Sequence, residues 1–565
     1  MNRFIRFLFS VIVLGCFLPG VYAQQGKKDT ISILSFNDFH GAFIPGQGTP
    51  GADNFVSALL DLKGKVPHPV ILSGGDNFSG SYFSLMSGGE PHLVFTLPAA
   101  SDTLISAIGN HELDWGDSYL LGTSCLYINY VGANVAGGGD KQKAFKEKVP
   151  GYRIVERGDK RIGIIGLSTP TTPSSGKKPY VDDYTFDGEF TSTVNSLAEK
   201  LRKEKQADMV VLLMHIGTDM AHGVPVIHPT DSASEKNLRK LSGIDAIVSG
   251  HSHKLVHGMF TIEGSKQVPM IQAGRNGSHI GLMQFEITDE GVRFIRDSLV
   301  QVSVPHPVIR QAVDSISRKE GFNEVYVEVT KELVHDRNRN LHKFTEVGAL
   351  VTASYKARFY SWIKERMQRS TRSALPSVPE QPVLAVHHFN GIRAGLPQGE
   401  VTRAQVGNVL PFGGILAAYC MNGKQVRKLF TAGLHPTLPR GFLQTCDMMF
   451  EMTNGKITCM KWRNRQGKYV EIKDDTQCVI LCDDFIADGG DDYPKELFNN
   501  NEISEFKDEE TTRCFVEYMR EAKKVPNENY KIATVNSKDS GKVELGGKVE
   551  DWNNGGSISG EATME

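Results

Sequence analysis

Five consecutive positions, Asn110-His111-Glu112-Leu113-Asp114, bring together an amide, an imidazole and two carboxylates. Polar groups this dense are costly to place near a core unless each has a partner. Four other short stretches carry the same kinds of donor. They are Asp38 with His40, Asp76 in Ser73-Gly74-Gly75-Asp76-Asn77, His215, and the pair His251 and His253 in Gly250-His251-Ser252-His253. Mixed carboxylate, amide and imidazole donors suit borderline divalent ions such as Zn²⁺, Mn²⁺, Fe²⁺ or Co²⁺. Asp38, His40, Asp76, Asn110, His215, His251 and His253 are too many for one tetrahedral site. They match two sites that share one carboxylate, and Asp76 offers the bridge. Taken singly, each stretch has a plainer reading: a solvated surface pair, a loop, or a satisfied core histidine. The joint pattern is what points to a metal centre.

Each stretch directly follows an apolar run: Ile31 to Phe36, Val70 to Leu72, Leu104 to Ile108, Met209 to Met214 and Ile244 to Val248. Arg161 to Leu167 is a run of the same kind. Short apolar runs separated by helical stretches such as Thr193 to Glu204 predict an α/β layered fold. Donors at strand ends then gather along one sheet edge, where loops converge. Asp38 and His40 are expected to alternate off one strand end onto a common face, as are His251 and His253. Pro305 and Pro307 break the pattern, and 304–335 reads as a linker with a polar helix. The parts expected are 29–303, this linker, and a second α/β domain over 336–535 with a helix near Val347 to Arg369. A Gly-, Ser- and charge-rich tail, 536–565, is expected to be disordered.

The 565 residues are 40% hydrophobic and 23% charged, with a formal net charge of −2. That balance suits a globular chain of more than one domain and does not point to a nucleic acid polymer as partner. Residues 1–23 read as an export signal. Arg3 and Arg6 precede an apolar core, Phe7 to Leu18, too short to span a bilayer, and Val21-Tyr22-Ala23 is a small-residue cleavage site. The mature chain is therefore expected to be periplasmic or extracellular. Val13-Leu14-Gly15-Cys16 resembles a lipobox, so a lipid anchor at Cys16 is the alternative to free release. No later run is long and apolar enough for a transmembrane helix. Seven cysteines follow Cys16, and an odd number leaves one thiol unpaired within a single chain.

Asp38-x-His40, Gly75-Asp76-x-x-Ser79-Gly80, Gly109-Asn110-His111-Glu112-x-Asp114, His215 and Gly250-His251-Ser252-His253 resemble the motifs of calcineurin-like metallophosphoesterases. The run Asn110 to Asp114, followed by Gly132-Ala133-Asn134-Val135, is similar to the 5'-nucleotidase branch. So are Asn390-Gly391-Ile392-Arg393, Leu410-Pro411-Phe412-Gly413 and Phe485-Ile486-Ala487-Asp488-Gly489-Gly490-Asp491. The resemblance spans roughly residues 30 to 535. It implies a four-layer αββα metallophosphoesterase domain followed by an α/β substrate-binding domain. It also implies two divalent ions (Zn, Mn, Co or Fe), one on Asp38, His40, Asp76 and His253, the other on Asp76, Asn110, His215 and His251. His111 is then the residue that stabilises charge on the transferring phosphoryl group, and Asp114 orients its ring.

By the same resemblance the second domain holds the nucleotide. Phe412 and Tyr493 fall where two rings sandwich the base, Arg393 falls where an arginine binds phosphate, and His388 and Asn390 lie on the Arg393 loop. That loop departs from the family pattern. His388 occupies the usual asparagine position, and Phe389 and Asn390 replace two glycines. The function implied is a secreted or periplasmic dimetal phosphohydrolase of the 5'-nucleotidase type. It would convert nucleoside 5'-monophosphates to nucleoside and phosphate by in-line attack of a metal-bound hydroxide. The alternatives on the same centre are a 2',3'-cyclic nucleotide phosphodiesterase, a nucleotide-sugar pyrophosphatase or a broad phosphomonoesterase. A non-catalytic nucleotide-binding protein is the alternative of a different class.

Overall fold

Alternation within the apolar runs dictates the layering. Met209, Val211 and Leu213 join Ile31, Ile33, Val70, Leu72 and Ile105 in one core. Val210, Leu212 and Met214, pointing the other way, join Phe190, Val194, Ala198 and Leu201 in another. A strand buried on both faces needs a covering layer on each. The computed structural model describes residues 30–550, except 47–48, 90–103, 140, 205, 303–305, 337–339, 370–380, 435–440, 454–455, 507–508, 528, 538–542 and 546–547. Residues 1–23, read from the sequence as an export signal, and Cys16 among them lie outside the described residues. The chain forms two compact units that divide between Glu324 and Val325.

Twelve strands of the first unit position the candidate site. They are β1 (Thr30–Phe36), β2 (Pro69–Ser73), β3 (Ile105–Ala107), β4 (Asn129–Val131), β5 (Tyr152–Arg157), β6 (Lys160–Ser168), β7 (Met209–His215), β8 (Ala246–Val248), β9 (Leu255–Ile262), β10 (Lys266–Ala273), β11 (His279–Thr288) and β12 (Gly291–Gln301). Two six-stranded sheets result, in the orders β12-β11-β1-β2-β3-β4 and β9-β10-β8-β7-β6-β5. In the first, β1 to β4 run parallel and β11 is antiparallel to β1. In the second, β6, β7, β8 and β10 run parallel, with β5 and β9 antiparallel at the edges.

Helix α1 (Ala52–Lys65) covers the outer face of the first sheet, where Phe55 packs edge-on against Phe36 at 5.2 Å. Helix α2 (Thr191–Lys203) covers the second sheet with Val194, Ala198 and Leu201. The layers are helix, sheet, sheet, helix, as the expected αββα architecture requires. Helix α3 (Pro307–Lys319), read from the sequence as part of a linker, packs on α1 within the first unit. Arg310 pairs with Asp53, and the His306 N–H donates to the Asp53 carbonyl at 3.0 Å. Pro307 starts the helix, where its fixed φ is favourable and its missing N–H costs nothing.

In the second unit, helix α4 (Glu346–Arg369) packs on a mixed sheet. There β13 (Val383–His387) runs parallel to β15 (Gln477–Asp483), and β14 (Ile415–Asn422) runs antiparallel to β15. Of the tail expected to be disordered, Val543–Leu545 and Lys548–Glu550 pair as a hairpin, and 551–565 lie outside the described residues. All seven cysteines after Cys16 are described as free thiols.

Candidate metal centre

The seven candidate donors lie at the carboxyl ends of parallel strands or in the loops that follow: after β1 and β2, after β3, at the end of β7 and after β8. Strand alternation is not what aligns them. The backbone turns left-handed at the donors themselves, with φ of 50° at Asp38, 52° at His40, 56° at Asp76, 78° at His251 and 63° at His253. Left-handed non-glycine backbone costs of order 1–3 kcal/mol per residue and gathers where function over-determines it. The expected alternation of Asp38 with His40, and of His251 with His253, is thus replaced by tight turns that reach the same juxtaposition.

His40 Nε2 lies 3.1 Å from His253 Nε2, and His253 Nε2 lies 3.3 Å from Asp38 Oδ1. His215 Nε2 is 3.2 Å from Asp76 Oδ2 and 3.1 Å from Asn110 Oδ1. Asp76 Oδ2 is also 3.8 Å from His40 Nε2, so this one oxygen faces both sets of donors. The tight groups are Asp38, His40 and His253, and Asp38, Asp76 and His215. His251 stands beside His215, ring centroids 5.0 Å apart, with its Nε2 3.7 Å from Asp231 Oδ2.

Carbonyls behind the rings decide their tautomers. His40 Nδ1 donates to the Ser79 carbonyl at 2.8 Å, and His215 Nδ1 donates to the Gly74 carbonyl at 2.6 Å. In the neutral form of each ring, Nε2 is then a lone pair aimed into the cluster. Burial drives His40 down to about 3, so its ring is a neutral donor. Burial also lowers His215, but the Asp76 and Asp38 carboxylates outweigh it and hold that ring up to about 10. The cluster therefore calls for positive charge. Asp38 Oδ1 is buried with no hydrogen-bond partner among the described residues. The other oxygen, Oδ2, accepts from Asn37 Nδ2 at 2.6 Å and from the His251 N–H at 2.9 Å. A bare buried carboxylate oxygen facing imidazole lone pairs fits a divalent cation.

His111 stands at the edge of the cluster with its side chain 17% exposed. Its Nδ1 donates to Asp114 Oδ2 at 2.8 Å, and Ser79 Oγ donates to the same oxygen at 2.6 Å. Burial works against a charged ring, yet Asp114 and Asp76 outweigh it and hold His111 up to about 9. Three residues beyond the expected set organise the site. Glu112 accepts the N–H groups of Asp76, Asn77 and Gly109 and the Asn77 amide, at 2.7–2.9 Å. Asp231 Oδ2 accepts the Gly217 N–H at 2.7 Å while facing His251. Asn37 ties Asp38 to the Gly274 carbonyl at 2.7 Å. Glu112 sits inside the opening motif and was legible from its density of polar groups; Asp231 carries no local signal.

In the second unit, Arg393 Nη1 donates to the Asn390 carbonyl at 3.3 Å, and its guanidinium lies over the Phe412 ring at 5.2 Å. His388 is buried and stacks on Phe485 at 4.3 Å. Tyr493, expected as a base-stacking ring, is 3% exposed and belongs to the core of this unit.

The family model described as the 5'-nucleotidase, C-terminal domain matches residues 327–497. A second model, the bacterial capsule synthesis protein PGA_cap, matches residues 70–264, within the first unit alone. The chain is 24% identical over 539 residues to the trifunctional nucleotide phosphoesterase protein YfkN of Bacillus subtilis, covering 84% of this chain but only 33% of that one. It is 25% identical over 569 residues to the NAD 5'-nucleotidase of Haemophilus influenzae, covering 87% of this chain and 90% of that one. In fold it is similar to the 5'-nucleotidase precursor of Thermus thermophilus, with a TM-score of 0.71 at 21% identity over 90% of this chain and 99% of that one. The C-terminal model falls within the second unit and the similarity to nucleotide phosphohydrolases extends over most of this chain, so the chain carries a 5'-nucleotidase C-terminal domain and is similar along most of its length to 5'-nucleotidases.

Proposed function

We propose that the chain is an exported, metal-dependent phosphoric ester hydrolase that releases phosphate from nucleoside 5'-monophosphates. The observation that carries this reading is the bare Asp38 Oδ1 among inward-facing imidazole nitrogens, with the His111–Asp114 pair beside it. Asp38, His40, Asp76 and His253 would hold one divalent ion, and Asp76, Asn110, His215 and His251 a second. Ions bound there supply Lewis acidity and lower the pKa of water. The His111 imidazolium stabilises charge on the phosphoryl oxygens, Asp114 fixes the ring and its proton, and Ser79 fixes Asp114. A nucleotide is the substrate supported by the nucleotide-directed names of the relatives and by the C-terminal domain match. Export rests on residues 1–23, and no helix among the described residues is long and apolar enough to cross a membrane.

A second reading keeps the centre and changes the substrate to a cyclic nucleotide, a nucleotide sugar or another phosphoester. It is favoured by the Arg393 guanidinium over Phe412, which covers a ring face that a base would use. Both readings meet in one assay: phosphate release from AMP, ATP, UDP-glucose and a 2',3'-cyclic nucleotide, with Mn²⁺ or Zn²⁺ and again with chelator. Chelator-sensitive release from AMP above the others supports the monophosphate reading. Preference for another ester reassigns the substrate. No metal-dependent turnover of any of them, or turnover undiminished in His111→Ala, overturns the enzymatic reading.

A further inference from the structure

The second unit carries a cluster of potential ligands that the first-unit centre does not use. His387 ends β13, His388 follows it, and Asp483 ends the neighbouring parallel strand β15. All three side chains are buried, at 3%, 9% and 3% exposure. Asp483 Oδ2 lies 3.2 Å from His387 Nδ1 and 3.4 Å from His388 Nδ1. The other carboxylate oxygen, Oδ1, is committed to the Ile486 N–H at 3.1 Å, capping the short helix Asp484–Ala487. The Tyr355 hydroxyl, projecting from α4, stands 3.0 Å from His387 Nδ1. Gly391 is part of the enclosure: a Cβ there would sit 2.6 Å from the Nε2 atoms of both histidines.

Protons satisfy this arrangement poorly. A neutral His387 ring has one proton for two nitrogens. A proton on Nδ1 serves either Asp483 or Tyr355 and leaves a buried Nε2 lone pair with nothing to accept. A proton on Nε2 lets Nδ1 accept from the Tyr355 hydroxyl, but it faces that lone pair toward the Asp483 carboxylate and leaves a buried Nε2 donor unused. In either case His387 Nε2 has no hydrogen-bond partner among the described residues. The separations of 3.2 and 3.4 Å are long for charge-assisted hydrogen bonds, which run at about 2.7–2.9 Å. They match the edges of a tetrahedron whose donors stand about 2.0–2.1 Å from a central ion, about 3.3 Å. The same spacing separates His253 from Asp38, 3.3 Å, and His215 from Asp76, 3.2 Å, in the first unit.

We propose that His387 Nδ1, His388 Nδ1 and Asp483 Oδ2 form a further metal site, separate from the first-unit centre, with the Tyr355 hydroxyl beside its fourth corner. Two imidazoles and one carboxylate select a borderline divalent ion of the Zn²⁺ class over Mg²⁺ or Ca²⁺. Bound there, the ion would tie the ends of β13 and β15 to α4. It would also stiffen the His388–Arg393 loop that presents the Arg393 side chain.

The test counts ions in the full chain with the first-unit centre disabled by Asp38→Asn and Asp76→Asn. After equilibration with Zn²⁺ and removal of free ion, metal per chain is read by atomic emission, with circular dichroism as the check on folding. Adding His388→Asn is expected to lower the retained Zn²⁺ by one ion per chain. Adding Asp483→Asn instead is expected to give the same loss, and it is the safer variant because asparagine also caps helices well. Substituting Co²⁺ should give a visible absorption band of a tetrahedral nitrogen and oxygen site that vanishes in both variants. Equal Zn²⁺ content with and without these substitutions in folded protein overturns the site, whatever the first-unit centre binds.

Discussion

His111 Nδ1 and Asp114 Oδ2 are 2.8 Å apart, and the shared carboxylate oxygen is pinned from its other side by Ser79. The pair leaves His111 Nε2 as the outward tip of a ring whose charge is favoured by its carboxylate neighbours. Truncation by His111→Ala is expected to lower kcat by about 10²–10⁴, as for other positioned proton donors and charge-stabilising groups, with metal content unchanged. Steady-state kinetics alongside metal analysis checks both halves of that statement.

Asp114→Asn tests the same pair through pH. Asp114 helps hold His111 up to about 9, so its loss lets the imidazole deprotonate at lower pH. Activity that needs the imidazolium is full below the ring's pKa and lost as pH rises through it. The alkaline limb of the kcat profile is therefore expected to shift to lower pH in Asp114→Asn. An unmoved limb would remove His111 from the role given to it.

Glu112 makes a different kind of demand. Its two oxygens face N–H donors only, from Asp76, Asn77 and Gly109. Glutamine at 112 keeps one acceptor but turns an NH₂ group against N–H donors. Glu112→Gln is expected to lose about 1–3 kcal/mol of stability and to weaken metal retention, because the loop carrying Asp76 loses its anchor. Thermal unfolding and equilibrium dialysis measure the two effects.

Gly109 has no room for a methyl group. A Cβ there would lie 2.1 Å from Asp76 Oδ1 and 2.6 Å from Glu112 Oε2. Gly109→Ala must push the Asp76 carboxylate out of place, and a misplacement near 1 Å can cost about 10² in rate. Turnover at saturating metal should fall at least that far.

Arg358 and Glu509 give the second unit a pH-dependent contribution. The Arg358 hydrogen bond holds Glu509 below its ordinary 4.5. A carboxylate whose folded pKa is depressed stabilises the fold above the unfolded value, and that contribution is lost as pH falls through the folded value. Glu509→Gln is thus expected to be less stable than the parent chain at neutral pH. The gap should narrow below about pH 4. Urea unfolding at several pH values follows it.

Much of the architecture was legible because parallel strands buried on both faces have to read as apolar runs, and the donors directly follow those runs. Val210 and Val211 serve two different cores from adjacent positions, which only a strand covered on both faces satisfies. The turns were less legible. Asp38, His40, His251 and His253 share a site through left-handed backbone, a property of the assembled loops that residue spacing does not encode. Asp231 escaped notice because its relation to His251 exists only across the fold. Tyr493 followed a motif position into the core, since a motif carries residue type but not exposure. Helix α3 followed its prolines into a linker, but its pairing with Asp53 fastens it to the first unit.

The position of β1 in its sheet bears on how the protein comes to be folded at all. Thr30 pairs with Glu286 on one side of β1, while Phe36 pairs with Ser73 on the other. The earliest-made strand therefore waits for one of the last in its unit, and the entropy of closing that loop is met before the pairing rewards it. All seven donors have been synthesised once His253 emerges, yet β11, which flanks the strand leading to Asp38 and His40, has not. A chain stopped between the two would carry every ligand and an open β1 edge, the state most prone to pair with another copy.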